Sequence, residues 1–295
     1  MKKFMVLVLC LTCTLAVFAT DLFDMIETAD IEGVKQVIGE GANVNAVSSD
    51  GMTALTYAIV SKIENPDQGF EILDLLLKAG ADINQEIEYF NEENISPLSV
   101  SIIFELEGKD TAEEILNTDY EVALWLIKHG ADVNVRVDGI PMFFIAVITG
   151  TPELLEAMIS CGLQVNARSE EGYTAISLLL GLPEEPFDGF QMTDRHYEAF
   201  ELLIKAGINV NAWDEDSMNA LLYAAKSYDA NMVRFLLESG ADAKLFNPDG
   251  ESAFDYAKSN NALINTDEYW LLCDAHYEAI DNLIRTMQSV FVLND

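Results

Sequence analysis

The chain holds three histidines, His129, His196 and His276, the side chains best suited to moving protons near neutral pH or to ligating a metal. They stand in three unrelated contexts, and none has a second ligand at metal-binding spacing. His129, in KHGADVN, falls near the end of a helical stretch, where a cation suits the exposed carbonyl dipoles. Carboxylates are abundant, with 50 Asp plus Glu against 16 Lys plus Arg. No pair of them is set apart as acid and base, and a solvated face accounts for them. The DEDS run at 214–217 lacks the glycine and distal glutamate that a calcium loop needs. No glycine-rich phosphate cradle and no nucleophile elbow occur. These residues argue against an enzyme, and no cofactor and no metal is expected.

With a formal net charge of −34, the chain would repel a phosphate backbone and an anionic membrane surface alike. A basic protein partner would instead be steered toward it over long range, although the same charge also serves plain solubility. The first residues, MKKFMVLVLCLTCTLAVFAT, have the layout of a secretory signal peptide: Lys2 and Lys3, an apolar run from Phe4 to Phe18, then a cleavage pattern ending at Ala19. Residues 1–19 are therefore expected to be removed, leaving 20–295 with a charge of −36, because the removed piece holds two lysines and no acid. A retained anchor is the alternative, and no later stretch is long and apolar enough to span a bilayer. The expected location is the periplasm or beyond the cell.

What positions the remaining residues is a repeat. GANVN at 41 returns as GADIN at 80, GADVN at 130, GLQVN at 162, GINVN at 207 and GADAK at 240. Each is followed by a second element: DGMTALTYA at 50, NISPLSVSI at 94, DGIPMFFIA at 138, EGYTAISLL at 171, DSMNALLYA at 216 and DGESAFDYA at 249. The intervals 138–171 and 216–249 are both 33 residues. In TPELLEAMISCG, Leu154, Leu155, Met158 and Ile159 form one apolar helical stripe; Thr151 and Pro152 open that helix and Gly162 closes it. One such helix pair cannot bury its own apolar face, so neighbours must stack.

These elements resemble the ankyrin repeat, a turn and two antiparallel helices with a T-P-L-H-x-A signature. The resemblance spans nearly all of 20–295 and implies an all-α ankyrin-repeat solenoid with short hairpin fingers and about six to seven repeats, caps included. It divides the chain into an N-terminal cap at 21–46, repeats over about 47–248 and a capping repeat and helix at 249–295. In that last helix Trp270, Cys273, Tyr277, Ile280 and Ile284 recur at three and four, a stripe expected to close the final open face. Stacked repeats would separate Cys161 from Cys273, so both are expected as free, mostly buried thiols.

Two departures stand out. Longer intervals place acidic insertions between paired helices, including FELEGKDTAEEILNTDYE and GLPEEPFDGFQMTDRHYE, which serve either as decoration or as a second contact edge. The signature histidine is absent, its place taken by Thr56, Ser99, Phe144, Ser177, Leu222 and Asp255, so hydrogen bonding around it must be made differently.

The resemblance implies a protein-binding scaffold whose finger tips and first-helix ends form the contact row. Arg168, Trp213 and Phe246 share the tip position with Val47, and Met52, Tyr173 and Met218 occupy the variable place before the T-P-L element. The finger after Asn84 is four residues longer and carries Tyr89 and Phe90. Aromatic side chains on a rigid scaffold suit interface anchoring, and the competing arrangement is that Trp213 and Phe246 pack on each other. The function expected is an exported, monomeric protein-binding scaffold that sequesters or protects a basic partner, in the manner of an immunity protein or inhibitor. The alternatives are a secreted effector engaging a host protein and, from another class, an enzyme with its site in the insertions.

Overall fold

A computed structural model describes residues 22–64, 69–89, 93–109, 111–181 and 192–292. The expected signal segment lies outside these residues, as do Phe90 and the two phenylalanines of the GLPEEPFDGFQMTDRHYE insertion, Phe187 and Phe190, which would serve a second contact edge. The described residues group into two compact units, one ending at Leu163 and the other beginning at Gln164.

In the first unit, helical residues 22–27 (α1) pair with α2 (Ile31–Gly39), and α3 (Ala54–Glu64) with α4 (Gly69–Lys78). The β1 (Ile87–Tyr89) and β2 (Glu93–Ile95) strands then form a hairpin, pairing Ile87 with Ile95 and Tyr89 with Glu93. This is the lengthened finger expected after Asn84. Next come α5 (Pro97–Leu106), the short α6 (Ala112–Leu116), α7 (Glu121–Lys128), a second hairpin of β3 (Arg136–Val137) and β4 (Ile140–Pro141), α8 (Phe143–Ile148) and α9 (Pro152–Ser160). The second unit contains α10 (Ala175–Gly181), α11 (Asp194–Lys205), α12 (Ala220–Ser227), α13 (Ala230–Glu238), α14 (Ala253–Ala257) and α15 (Asp267–Val292). Within each unit a helix packs on its pair-mate and on its counterpart in the next pair: α3 on α4 and α5, α12 on α13 and α14. Leu73, Leu76 and Leu98 in the first unit and Leu203, Leu236 and Leu263 in the second lie in the interiors so formed.

Helices α3, α5, α10 and α12 start from one device, while α8 follows Met142 without a side-chain cap. Thr53, Ser96, Thr174 and Asn219 accept, through side-chain oxygens, the N–H of Thr56, Ser99, Ser177 and Leu222 at 3.0–3.1 Å. Such caps satisfy amides that the helix leaves without partners. Residues at the place of the missing histidine answer back: the Thr56 and Ser99 hydroxyls lie 3.0 and 3.1 Å from those of Thr53 and Ser96, and Asp255 accepts the Ser252 N–H at 2.8 Å. Ser252 with Asp255 and Thr174 with Ser177 thereby form capping boxes, whereas Phe144 and Leu222 bring no polar atom to the same place.

Repeats are stitched together by the asparagine of the V-N step. Asn45 Nδ2 donates to the Gly80 carbonyl at 3.0 Å, and its Oδ1 accepts the Asp82 N–H at 2.8 Å. Asn166 does the same to Gly207 and Asn209, and Asn211 to Gly240 and Asp242. Each spans 29–43 residues of sequence to reach one glycine-terminated turn further on. Gly80, Gly207 and Gly240 all have φ between 90 and 95°, which glycine adopts at no Cβ cost.

Three expectations are corrected. Thr151 occupies the cap position of α9 but makes no side-chain capping bond; its hydroxyl lies 2.9 Å from that of Thr149, which in turn accepts from the buried Tyr120 hydroxyl. Cys161 and Cys273 are free, yet Cys161 is exposed at the end of α9 and Cys273 is half-buried. The apolar stripe of α15 does not face inward. Leu272 and Ala275 are buried instead, with Glu268 held by Arg234, while Trp270, Tyr277 and Ile284 are exposed.

Candidate functional site

The finger tips owe their form to one polar residue following each tip position. Ser48, Ser169, Asp214 and Asn247 each donate a backbone N–H to the carbonyl four residues on, at 2.8–3.0 Å. Their side chains accept the N–H of that same residue: Met52, Tyr173, Met218 and Glu251. Asp214 is therefore no solvated acid; it is buried and closes the turn through Oδ1. Gly51, Gly172 and Gly250 take φ near +80° at the third tip residue, and Ser217 occupies the same conformation at +59°. A left-handed conformation strains a residue carrying a Cβ, so the Trp213 finger carries a backbone strain that its glycine-bearing neighbours avoid.

In the second unit, the candidate residues separate into two groups. Arg168 and Tyr173 reach across to the next finger: Arg168 Nη1 donates to the carbonyls of Gly172 and Trp213, and the Tyr173 hydroxyl donates to Asp216 Oδ2 at 2.6 Å. That bond to Asp216, with some burial, pushes the Tyr173 phenol up to about 12. Both side chains thus brace the Trp213 finger. Met218, expected on display, is buried at 6% exposure and anchors the base of that finger. Trp213 and Phe246 are half-exposed and line one hollow of about 390 Å³ with Ser217, Asn247 and Pro248. No ring pairing joins Trp213 to Phe246 among the described residues. Phe246 instead lies 5.5 Å, centroid to centroid, from His276 on α15, whose Nδ1 is 2.7 Å from the Ser252 hydroxyl. The exposed acids Glu215, Asp216, Asp249 and Glu251 belong to the same two fingers.

In the first unit, Met52 is half-buried beside the exposed Val47, and Tyr89 takes its place in β1 opposite Glu93. The hollow's remaining walls escaped the sequence reading, although the N-P step at Asn247–Pro248 is a turn signal that marks the spot.

The histidines hold structure together. His196 is fully buried, and its Nδ1 accepts the Thr193 N–H in the capping box of α11. His129 Nδ1 lies 2.8 Å from the Trp125 carbonyl at the end of α7, and its ring lies 4.0 Å from the indole. Among the described residues no group of three or more His, Cys, Asp or Glu is placed to hold a metal. Burial also pushes the Glu105 carboxyl up to about 7, aided by the nearby Asp119 charge and opposed by the Val122 N–H it accepts.

Stacked helix pairs, glycine-ended turns and asparagine-linked fingers define an ankyrin repeat fold. Residues 50–86 match the family described as Ankyrin repeat, and residues 203–257 match Ankyrin repeats (many copies). Residues 50–86 and 203–257 are thus similar to ankyrin repeats, and the described residues have the fold of an ankyrin repeat domain. The chain is similar to the human ASB11 ankyrin repeat domain, with a TM-score of 0.53 and 18% identity over 86% of this chain and 97% of that one. In sequence it is 29% identical over 137 residues to Ankyrin repeat and SOCS box protein 6 of Homo sapiens, covering 44% of this chain and 30% of that protein's length. It is also 26% identical over 281 residues to Putative ankyrin repeat protein L92 of Acanthamoeba polyphaga mimivirus, covering 77% of this chain and 66% of the relative.

Proposed function

We propose that the chain captures another protein on the finger tips of its second unit, with Trp213 and Phe246 as the anchors. The observation that carries this reading is the hollow of about 390 Å³ between the two aromatic side chains, which do not stack on each other. An apolar-walled hollow with a polar rim suits a partner side chain, and Trp is among the residues that dominate interface energetics. Acids on both fingers and a chain charge of −34 favour a basic partner. The layout of residues 1–19 supports an encounter outside the cytosol, in which the chain would sequester or protect its partner as an inhibitor or immunity protein does.

The test uses the chain from residue 20 as bait in an extract of the exported proteins of its source, at low and high salt. A partner retained by the native chain and lost by Trp213→Ala/Phe246→Ala, at an unchanged thermal midpoint, supports the reading. Retention by the double variant removes the fingers as the binding surface. Release by salt alone assigns the capture to the acidic surface.

A further inference from the structure

Of the exposed large apolar side chains among the described residues, Trp270, Leu271, Tyr277, Leu283, Ile284 and Met287 all lie on α15. This helix packs on α13 and α14 through its inward face, but residues 281–288 are exposed on every side. Trp270, Cys273, Tyr277, Ile280, Ile284 and Met287 follow one another at intervals of three and four, the spacing of a coiled-coil seam. A helical arm of that length gains little from its own hydrogen bonds, and a continuous apolar stripe in water marks a surface that another molecule covers.

The charges bordering the seam select its occupant. Between residues 267 and 288 the helix carries Asp267, Glu268, Asp274, Glu278 and Asp281 against one base, Arg285. Arg285 is already bridged to Asp281 at 2.7 Å, and Glu278 has drawn in Lys244 at 2.8 Å. An antiparallel second copy would bring Asp274 and Asp281 against their own counterparts beside the seam, a parallel one would leave both without a lysine or arginine partner, and either adds another −34 charges. We propose that α15 is a docking helix for a basic amphipathic helix of a partner protein, which lays its apolar stripe along Trp270–Met287 and its lysines or arginines against Asp274 and Asp281. This surface adjoins the Trp213–Phe246 hollow only where Phe246 packs on His276, and it does not include Trp213.

The experiment titrates the whole chain from residue 20 with two labelled helical peptides of about 21 residues, or three heptads. Both carry leucines at the seam positions; one is flanked by lysines, the other by glutamates. Fluorescence anisotropy is read at about 0.15 M salt, with sedimentation of the chain alone alongside. The proposal expects the lysine-flanked peptide to bind, and Ile284→Asn/Met287→Asn, which leave every charge in place, to weaken it about tenfold or more. Asp274→Lys/Asp281→Lys should weaken that peptide and admit the glutamate-flanked one. These side chains are exposed, so the variants keep their fold, which circular dichroism verifies. Trp213→Ala should leave the titration unchanged, which separates this proposal from the finger-tip reading. No binding, or binding indifferent to Ile284→Asn/Met287→Asn, overturns it. So does a dimer of the native chain that Ile284→Asn dissolves, since a second copy would then own the seam.

Discussion

The Arg168 guanidinium donates to the backbone carbonyl of Trp213, 45 residues further along the chain. The tip residue of one finger thereby fixes the tip of the next, and the indole projects from a backbone that is held in place. Arg168→Ala should leave global stability within about 1 kcal/mol, since the side chain is exposed. Amide hydrogen exchange over 213–217 should nevertheless become about tenfold faster, because the braced turn opens locally. Unchanged exchange there would mean that Asp214 and the Tyr173–Asp216 bond hold the finger without Arg168.

Ser217 adopts the left-handed conformation that Gly51, Gly172 and Gly250 provide in the equivalent turns. Ser217→Gly should stabilise the chain by about 0.5–1 kcal/mol, and Ser217→Val should destabilise it by roughly 1–3 kcal/mol. Urea midpoints of the two variants test the sign. Because Ser217 also lines the hollow, partner capture by the glycine variant would show whether its hydroxyl contributes to recognition.

Asn211 both donates to Gly240 and accepts from Asp242 N–H. Asn211→Ala removes two inter-repeat bonds and should cost about 1–2 kcal/mol, read as a lower urea midpoint with an unchanged slope. Asn211→Asp keeps the acceptor while setting a carboxylate against the Gly240 carbonyl, so it should fare no better than alanine.

The Glu105 carboxyl titrates at about 7 in the folded chain against an ordinary value of 4.5, and its buried Oε2 has no hydrogen-bond partner among the described residues. The folded state therefore holds its proton more tightly than the unfolded one. The stability this gives is complete below about pH 4.5 and is lost as pH rises through 7. Glu105→Gln keeps an acceptor for the Val122 N–H and never ionises. It should match the native chain near pH 4.5 and exceed it by on the order of 2–3 kcal/mol at pH 8, as denaturation across pH would measure. Parallel pH profiles for the two proteins would refute the assignment.

Much of this architecture is legible because local chemistry dictates it. Gly162 must end α9, the hydroxyl of Thr53 must cap α3, and the asparagine of each V-N step recurs at the place where a neighbouring turn needs a partner. What the pattern hides is direction. On α15 the buried Glu268, Leu272 and Ala275 recur at four and three, just as Trp270, Cys273 and Tyr277 recur at three and four, so spacing alone finds two stripes and cannot choose between them. The choice falls to Arg234, which holds the Glu268 carboxylate, and to His276, which sits against Phe246 and Phe254. In the same way, the tip position identifies Arg168 and Trp213 together, but only the folded backbone reveals that the first serves the second.

Each asparagine clasp has a jaw on one repeat and a notch on the next, and all the notches are cut alike. Removing residues 207–239 would carry Gly240 and Asp242 to the sequence positions of Gly207 and Asn209, where Asn166 already presents an amide of the right polarity. The chain is thus divisible at its glycines: whole repeats can be dropped or duplicated without rewriting the residues on either side of the cut, and its length is open to change in steps of one repeat.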